Sequence, residues 1–227
     1  MSLATNLTTI AENVPKVYEA GKKTIIDGID GLYRFFTNGQ NMGLLPYVLN
    51  KDWKNKEINM QYTFQDNKVI TDFIAPKTLK TKMPHGLFSG CTNLKTVTGL
   101  DEMINGIVLT DLFNGCNSLT NAGTINFEGV SYARSTFWGC IALEKIDIIG
   151  TIKISLYFED CLSLSKLSIT SIVKALSQTT SGLTITFSKT AVNNAFGINV
   201  DDPTTYPEGS EYYMLRNSKS NWTFNYE

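Results

Sequence analysis

The sequence predicts an α/β repeat protein, a solenoid of short parallel strands with an N-terminal helix and a mixed α/β C-terminal cap. A motif in which a Phe is followed by a Cys three residues later and a Leu six residues later occurs four times, and successive cysteines are 25, 24 and 21 residues apart. Recurrence at roughly 20–50 residues indicates a repeat array, in which neighbouring units bury one continuous core. The copies are Phe88-Cys91-Leu94, Phe113-Cys116-Leu119, Phe137-Cys140-Leu143 and Phe158-Cys161-Leu164.

Residues 1–23 predict a helix that docks on another surface or caps the repeats. Leu7, Ile10, Val14 and Val17 recur at steps of three and four residues, and Gly21 ends the pattern. An isolated helix of this length is marginal in water, because about 12–15 residues are needed even for good helix formers. We therefore expect it to pack against its own repeats, against copies of itself or against another protein.

Residues 24–59 predict an aromatic-rich cap on the first repeat. Aromatic side chains supply apolar bulk that can seal an open repeat end. The sequence Asp27 to Gly31 is typical of a turn, since a calcium loop needs more carboxylates in register. The aromatic residues are Tyr33, Phe35, Phe36, Tyr47 and Trp53.

Residues 60–167 predict the leucine-rich-repeat solenoid, because the period and the Cys-x-x-Leu spacing are those of leucine-rich repeats. A fifth, divergent repeat begins near Met60, with Phe64, Asn67 and Ile70 at the Phe, Cys and Leu positions. Asn and Cys share one position because both are small and can bond to the backbone of a turn. Gly90, Gly115 and Gly139 permit a sharp turn, and Asp160 in their place indicates the last repeat.

The four cysteines, Cys91, Cys116, Cys140 and Cys161, form a predicted structural ladder. Equivalent positions in adjacent repeats stack roughly 5 Å apart, a distance that does not forbid a disulfide. We favour reduced, buried thiols that pack as small apolar groups, because the side chains share one orientation and one interior position. Zinc is disfavoured because its ligands usually come in close pairs.

Residues 168–227 predict the C-terminal α/β cap. Ile169, Ile172, Val173 and Leu176 share one helical face, with Ser168 or Thr170 as N-cap and Gly182 beyond the end. A strand follows at 183–187, then a helix between Ser188 and Gly197. A loop, one or two helical turns and a final strand complete the segment. Such a cap covers the open end of a repeat array.

Composition and charge exclude several functions. The chain has 227 residues, 42% of them hydrophobic, and a formal net charge of -1, which offers no basic field for nucleic acid. We expect no membrane insertion, because no run of eighteen apolar residues occurs, and no secretory signal. His85 is the single histidine, and no motif pairs the scattered carboxylates. We therefore expect no enzyme, cofactor or metal, although two carboxylates could still converge as in a glycosidase.

Two sets of residues are candidates for a binding surface. Exposed strand positions of successive repeats should align into a polar ridge that suits protein or glycan contact, or plain solvation. Large aromatic residues at turns are typical binding anchors, although they can also pack between repeats. The ridge contains Lys95, Glu144, Lys145 and Lys166, and the aromatic set is Tyr132, Trp138 and Tyr157.

The Phe-x-Gly-Cys-x-x-Leu repeats resemble the BspA-type leucine-rich repeats of bacterial surface proteins and phages. Three further segments are similar to leucine-rich minor structural proteins of phages and prophages of gut Firmicutes: residues 7–23, residues 171–197 and residues 221–227. Residues 24–55 depart from that pattern.

The resemblance implies a non-enzymatic virion component, in a tail fibre, a baseplate or attached to the head, whose repeats face outward for host recognition. Its partners would be other virion proteins or copies of itself, met through residues 1–23, and a host-surface protein or glycan. The alternative is a BspA-like adhesin on the bacterial cell surface. The expected absence of a secretory signal favours the virion, because phage proteins assemble in the host cytoplasm.

Overall fold

The computed structural model describes residues 20–23 and 25–227 as an α/β repeat fold of short parallel strands joined by turns and short helices. Residues 20–23 and 25–27 are helical. The predicted stripe of Leu7, Ile10, Val14 and Val17 lies outside the described residues. Ile26, just after it, is buried in the core.

The strands of the described residues pair in parallel in three separate sheets. One contains β1 and β3, the next has the order β2-β4-β5-β6, and the last has the order β7-β8-β9. The sheets are separate because each repeat contributes short strands joined by turns. The strands are β1 (Glu57–Asn59), β2 (Asp72–Ile74), β3 (Lys80–Met83), β4 (Thr96–Thr98), β5 (Asn121–Asn126), β6 (Lys145–Ile149), β7 (Leu156–Phe158), β8 (Leu183–Phe187) and β9 (Trp222–Tyr226).

The helices are short and lie mainly at the two ends of the repeats. Three of them begin at a serine whose hydroxyl accepts a backbone N–H in the first turn, as a polar N-cap does. The α-helices are α1 (Leu45–Asn50), α2 (Leu100–Met103), α3 (Lys166–Ala175), α4 (Lys189–Phe196) and α5 (Glu211–Asn217). The 3-10 turns are Thr37–Gly39, Met42–Leu44 and Pro203–Thr205.

The phenylalanines of the motif form one stack of near-parallel rings along the core. Neighbouring ring centroids lie between 4.8 and 6.0 Å apart. The stack extends past the predicted repeats at both ends, to Phe36 within the predicted aromatic cap and to Phe187 within the C-terminal cap. Its members, all buried, are Phe36, Phe64, Phe88, Phe113, Phe137, Phe158 and Phe187.

A ladder of backbone hydrogen bonds joins each Phe turn to the next one. In the turn of Phe113, the N–H groups of Asp111, Phe113 and Gly115 donate to carbonyls of the following repeat at 3.0, 3.0 and 2.7 Å. The same three bonds occur at the junctions that begin at Phe36, Phe64 and Phe88. Gly115 has a φ of 74°, a left-handed conformation that glycine adopts without strain.

The shared Cys and Asn position has one hydrogen-bonding role. Each thiol donates to the carbonyl of the preceding motif phenylalanine, as Cys91 does to Phe64 at 2.9 Å and Cys116 to Phe88 at 3.1 Å. The Nδ2 of Asn67 donates to the carbonyl of Phe36 at 2.8 Å in the same way. Within the described residues, all four cysteines are free and buried.

The C-terminal segment contains the predicted strands and helices, with one correction. The predicted N-caps Ser168 and Thr170 are wrong, because Ser165 caps α3 and its Oγ accepts the N–H of Ser168. Lys166 is therefore the first residue of a helix, where the periodicity indicated a strand. The helix ends at Ala175, well before Gly182, because Leu176 pairs with Ile152 in a parallel bridge.

Candidate functional site

The ladder of backbone bonds is interrupted after the turn of Phe137. Here the next repeat is β7, an extended strand that pairs with β8, so it offers no matching turn. Ser135 and Phe137 occupy the positions of Asp111 and Phe113, yet their N–H groups have no acceptor among the described residues. Gly139 N–H alone is satisfied, by the carboxylate Oδ2 of Asp160 at 2.9 Å.

A groove of about 590 Å³ opens at this interrupted junction. We call it the junction groove and define it by residues 131–138 of one repeat and residues 154–160 of the next. All three aromatic residues of the predicted binding set line it. Tyr132, Trp138 and Tyr157 are 65%, 59% and 45% exposed, so their rings are available to a ligand.

The polar part of the groove combines carboxylates with one cationic side chain. The Oε2 of Glu159 is buried and has no hydrogen-bond partner, whereas Asp160 is engaged by Gly139. Arg134 is exposed at the rim and takes part in none of the ion pairs found among the described residues. A buried oxygen without a partner is costly, so the Glu159 carboxylate is a candidate for contact with a ligand or an ordered water.

Sequence reasoning found the aromatic residues but missed Arg134, Ser135 and Glu159. The available signal was the last repeat step, which is 21 residues long where the others have 24 and 25. The shortened repeat forms the strand β7 where the other repeats have a turn. The open junction lies at this shortened repeat.

Part of the predicted polar ridge lies on neighbouring, paired strands. The strand register places Thr96 beside Asn121 and Asn121 beside Lys145. Lys95 and Glu144 precede these positions, and the carbonyl of Thr120 accepts the N–H of Glu144 at 3.1 Å. Lys166 is separate from the ridge, because its ammonium pairs with Glu211 and lies 5.4 Å from the ring centroid of Phe196.

The other polar residues considered from the sequence have partners within the fold. His85 Nε2 lies 3.7 Å from the Oδ2 of Asp111, and its ring contacts Tyr62 edge to face. In the predicted turn, Asp27 pairs with Lys23 and Asp30 with Lys56. Hydrogen bonds from these lysines lower the pKa of both aspartates.

Burial controls the chemistry of the cysteines. It raises the pKa of Cys91 to about 12, from an ordinary value of 9.0. Burial also places the pKa values of Cys116, Cys140 and Cys161 well above 9.0. The thiolate, the reactive form, is therefore scarce at neutral pH.

Two further searches were limited to the part of the chain that the structure describes. No cluster of three or more His, Cys, Asp or Glu residues there could hold a metal ion. None of the helices in that part has the length and apolar character needed to cross a bilayer.

The family comparison agrees with the repeat geometry. The family model described as BspA type leucine rich repeat region matches residues 56–181, with 6 copies. Comparisons with curated proteins and with solved structures found no match. Similarity of the end segments to phage proteins stays a prediction. A repeat region of this type indicates a repeat-based binding or adhesion module, and because the match covers more than half of the sequence, the chain belongs to the BspA-type leucine-rich repeat family.

Proposed function

We propose that this protein is a non-enzymatic recognition module that binds its ligand in the junction groove. The supporting observation is the convergence of Tyr132, Trp138 and Tyr157, all exposed, on one groove that also contains a buried carboxylate oxygen without a partner. Aromatic side chains with a few placed polar groups are typical of ligand sites. The stacked repeats would hold this groove on a rigid frame.

Substitution of the groove tests this proposal. We expect the fluorescently labelled full chain to bind intact bacterial cells or isolated cell walls, measured by flow cytometry and sedimentation. The double variant Tyr132→Ala/Trp138→Ala should lose this binding at least tenfold with an unchanged melting temperature, because both side chains are exposed. The matched control is Tyr33→Ala, which removes an aromatic ring that is 54% exposed outside the groove. Equal binding by the double variant and the control would overturn the proposal.

For the biological setting, we propose a phage virion component, in a tail fibre, a baseplate or attached to the head, that presents the junction groove to the host. The proposal rests on the resemblance, predicted from the sequence, of residues 7–23, 171–197 and 221–227 to phage and prophage structural proteins. Attachment to the particle, or to copies of itself, would use residues 1–23.

A second setting is the bacterial cell surface, because the family match indicates a binding or adhesion module and the repeats resemble those of bacterial surface proteins. There the same groove would serve an adhesin. Mass spectrometry of purified particles and of the bacterial surface fraction distinguishes the two settings. Recovery in particles supports the virion proposal, whereas recovery only at the cell surface overturns it in favour of the adhesin.

A further inference from the structure

We propose that the junction groove binds a neutral carbohydrate, with the N–H groups of Ser135 and Phe137 as donors and the Glu159 carboxylate as acceptor. This inference rests on the proposed function, because it names the ligand class of the same groove. It follows from the hydrogen-bonding groups that the groove leaves without partners, taken together with its aromatic lining.

The donors come from the interrupted ladder. At the preceding junction the equivalent N–H groups of Asp111 and Phe113 donate to carbonyls of the next repeat at 3.0 Å. Ser135 and Phe137 continue this row and line the groove, but no acceptor faces them among the described residues. Unpaired backbone groups are rare in protein interiors because each costs free energy comparable to a lost hydrogen bond. A ligand oxygen in the groove would satisfy them.

The acceptor lies in the opposing repeat. Glu159 lines the groove with an Oε2 that is buried and unpartnered, and an ionised carboxylate can only accept hydrogen bonds. The ligand must therefore accept from one side of the groove and donate to the other. A hydroxyl group does both, because it has one donor hydrogen and two acceptor lone pairs.

Charge excludes two other ligand classes. A sulfate or phosphate would satisfy the N–H groups and could pair with Arg134 at the exposed rim, but inside the groove it would face the buried Glu159 oxygen and the carboxylate of Asp160, and like charges repel. A cationic ligand would satisfy the carboxylates and leave Ser135 and Phe137 without acceptors. A neutral polyhydroxylated ligand satisfies both sets.

An extended peptide is also disfavoured by the backbone groups that the turn of Phe137 presents to the groove. A strand that adds to a sheet edge needs donors and acceptors in alternation. Here the carbonyls of Ser135 and Phe137 already accept the N–H groups of Trp138 and Cys140 within the turn, and that of Phe137 also accepts the thiol of Cys161. The open side of this turn therefore offers mainly donors.

The shape and lining of the groove suit sugar rings. A pyranose has an apolar face of C–H groups and a rim of hydroxyls, so it can lie against an aromatic ring while its rim meets polar groups. Tyr132, Trp138 and Tyr157 supply such rings. The volume of about 590 Å³ falls within the roughly 300–1,000 Å³ of small-molecule sites, enough for a short oligosaccharide.

Glycan binding by the full chain is the first test. The labelled protein is applied to an array of neutral and acidic bacterial and host glycans, and the strongest neutral oligosaccharide is then titrated by calorimetry. We expect Trp138→Ala and Glu159→Ala each to weaken binding about tenfold or more, as expected for loss of a stacking ring or of a hydrogen bond to a charged group. The control Tyr33→Ala should bind as the unaltered chain does.

Amide hydrogen exchange tests the donors directly, since proline, the substitution that removes a backbone N–H, cannot adopt the φ of 54° at Ser135 and would disturb the turn. We expect the Ser135 and Phe137 amides to exchange quickly in the free protein and at least tenfold more slowly with the oligosaccharide bound. The Asp111 and Phe113 amides, already bonded at the equivalent positions, should be slow in both states. Unchanged exchange at Ser135 and Phe137 in the complex would overturn their assignment.

The outcomes separate this inference from the proposed function. If the groove variants lose cell binding while no neutral glycan binds, and an acidic glycan or a peptide does, the recognition module stands and the carbohydrate inference fails. If a neutral glycan binds equally to Trp138→Ala, to Glu159→Ala and to the unaltered chain, its site lies elsewhere and the carbohydrate inference fails. Both proposals fail if the double variant Tyr132→Ala/Trp138→Ala also keeps its binding to cells. Cleavage of the bound glycan, detected as new reducing ends, would overturn the non-enzymatic proposal.

Discussion

One small polar side chain per repeat connects a buried turn to the carbonyl of the preceding phenylalanine. Cys91, Cys116 and Cys140 do this with a thiol, and Asn67 does it with an amide. The sequence predicted this equivalence, because the Phe, Asn and Ile of the divergent repeat keep the motif spacing. The equivalence of Cys and Asn could be predicted because the hydrogen bond at this position depends only on contacts between adjacent repeats.

The cysteines predict a loss of stability at alkaline pH. The unfolded chain loses thiol protons above about pH 9, whereas the folded chain keeps them until its raised pKa values are reached, about 12 for Cys91. The free energy of unfolding should therefore be unaffected below pH 9 and fall above it, by up to about 1.4 kcal/mol per pH unit for each thiol. Urea unfolding at several pH values measures the slope.

Cys116→Ala provides the control for this slope. Buried Tyr212 also has a pKa raised by burial, so it adds to the alkaline loss in every variant. The free energy of unfolding of this variant should fall less steeply with pH, by the contribution of one thiol. A slope that is identical in both proteins would mean that Cys116 ionises as freely in the folded state as in the unfolded one.

Asn67 allows a matched exchange between repeats. Besides its bond to Phe36, its Oδ1 accepts the N–H groups of Val69 and Ile70 at 2.9 and 3.0 Å. Asn67→Ala leaves the buried N–H of Ile70 and the part-buried N–H of Val69 unpaired and should lower the free energy of unfolding by about 2–4 kcal/mol. Asn67→Cys provides the thiol that the other repeats have at this position, so it should lower the free energy of unfolding by less than Asn67→Ala. Chemical unfolding compares them, and equal losses would contradict the shared role.

Among the structural elements, the stacked phenylalanines hold the repeats in register. Phe113 lies between Phe88 and Phe137, with centroid distances of 5.7 and 6.0 Å. We expect Phe113→Ala to cost about 3–5 kcal/mol, because it leaves a cavity in a close-packed core. Phe113→Leu should cost less, and Tyr132→Ala, at an exposed ring, should change stability by no more than about 0.5 kcal/mol. Thermal and urea unfolding of the three variants provide the comparison.

Element prediction failed where a local pattern had two readings. The sequence around Lys166 alternates like a strand, yet the serine pair Ser165 and Ser168 forms a helix N-cap. Phe36 and Phe187 join the stack without a Cys three residues later, so the motif search did not reach them. The junction groove depends on the pairing of β7 with β8, a contact between segments about thirty residues apart that periodicity does not encode.

At the scale of the whole molecule, residues 1–23 carry the predicted attachment. Deletion of residues 1–23 should leave the repeats folded, because the described core extends from Ile26 onward, and should abolish oligomerisation or attachment to the particle. Circular dichroism follows the fold and light scattering follows the mass. A full-length monomer that loses stability on this deletion would instead identify these residues as a cap.

The backbone hydrogen bonds between the Phe turns all run in one direction along the chain, and this direction determines how the number of repeats can change. Every regular turn donates towards the C-terminal side and accepts from the N-terminal side, so one more copy of a unit such as residues 92–116 fits between two existing copies. The interrupted junction remains at the end whatever the number of copies before it. Gene duplication would therefore move the groove farther from residues 1–23, where attachment is predicted, one unit at a time, while the groove itself stays unaltered.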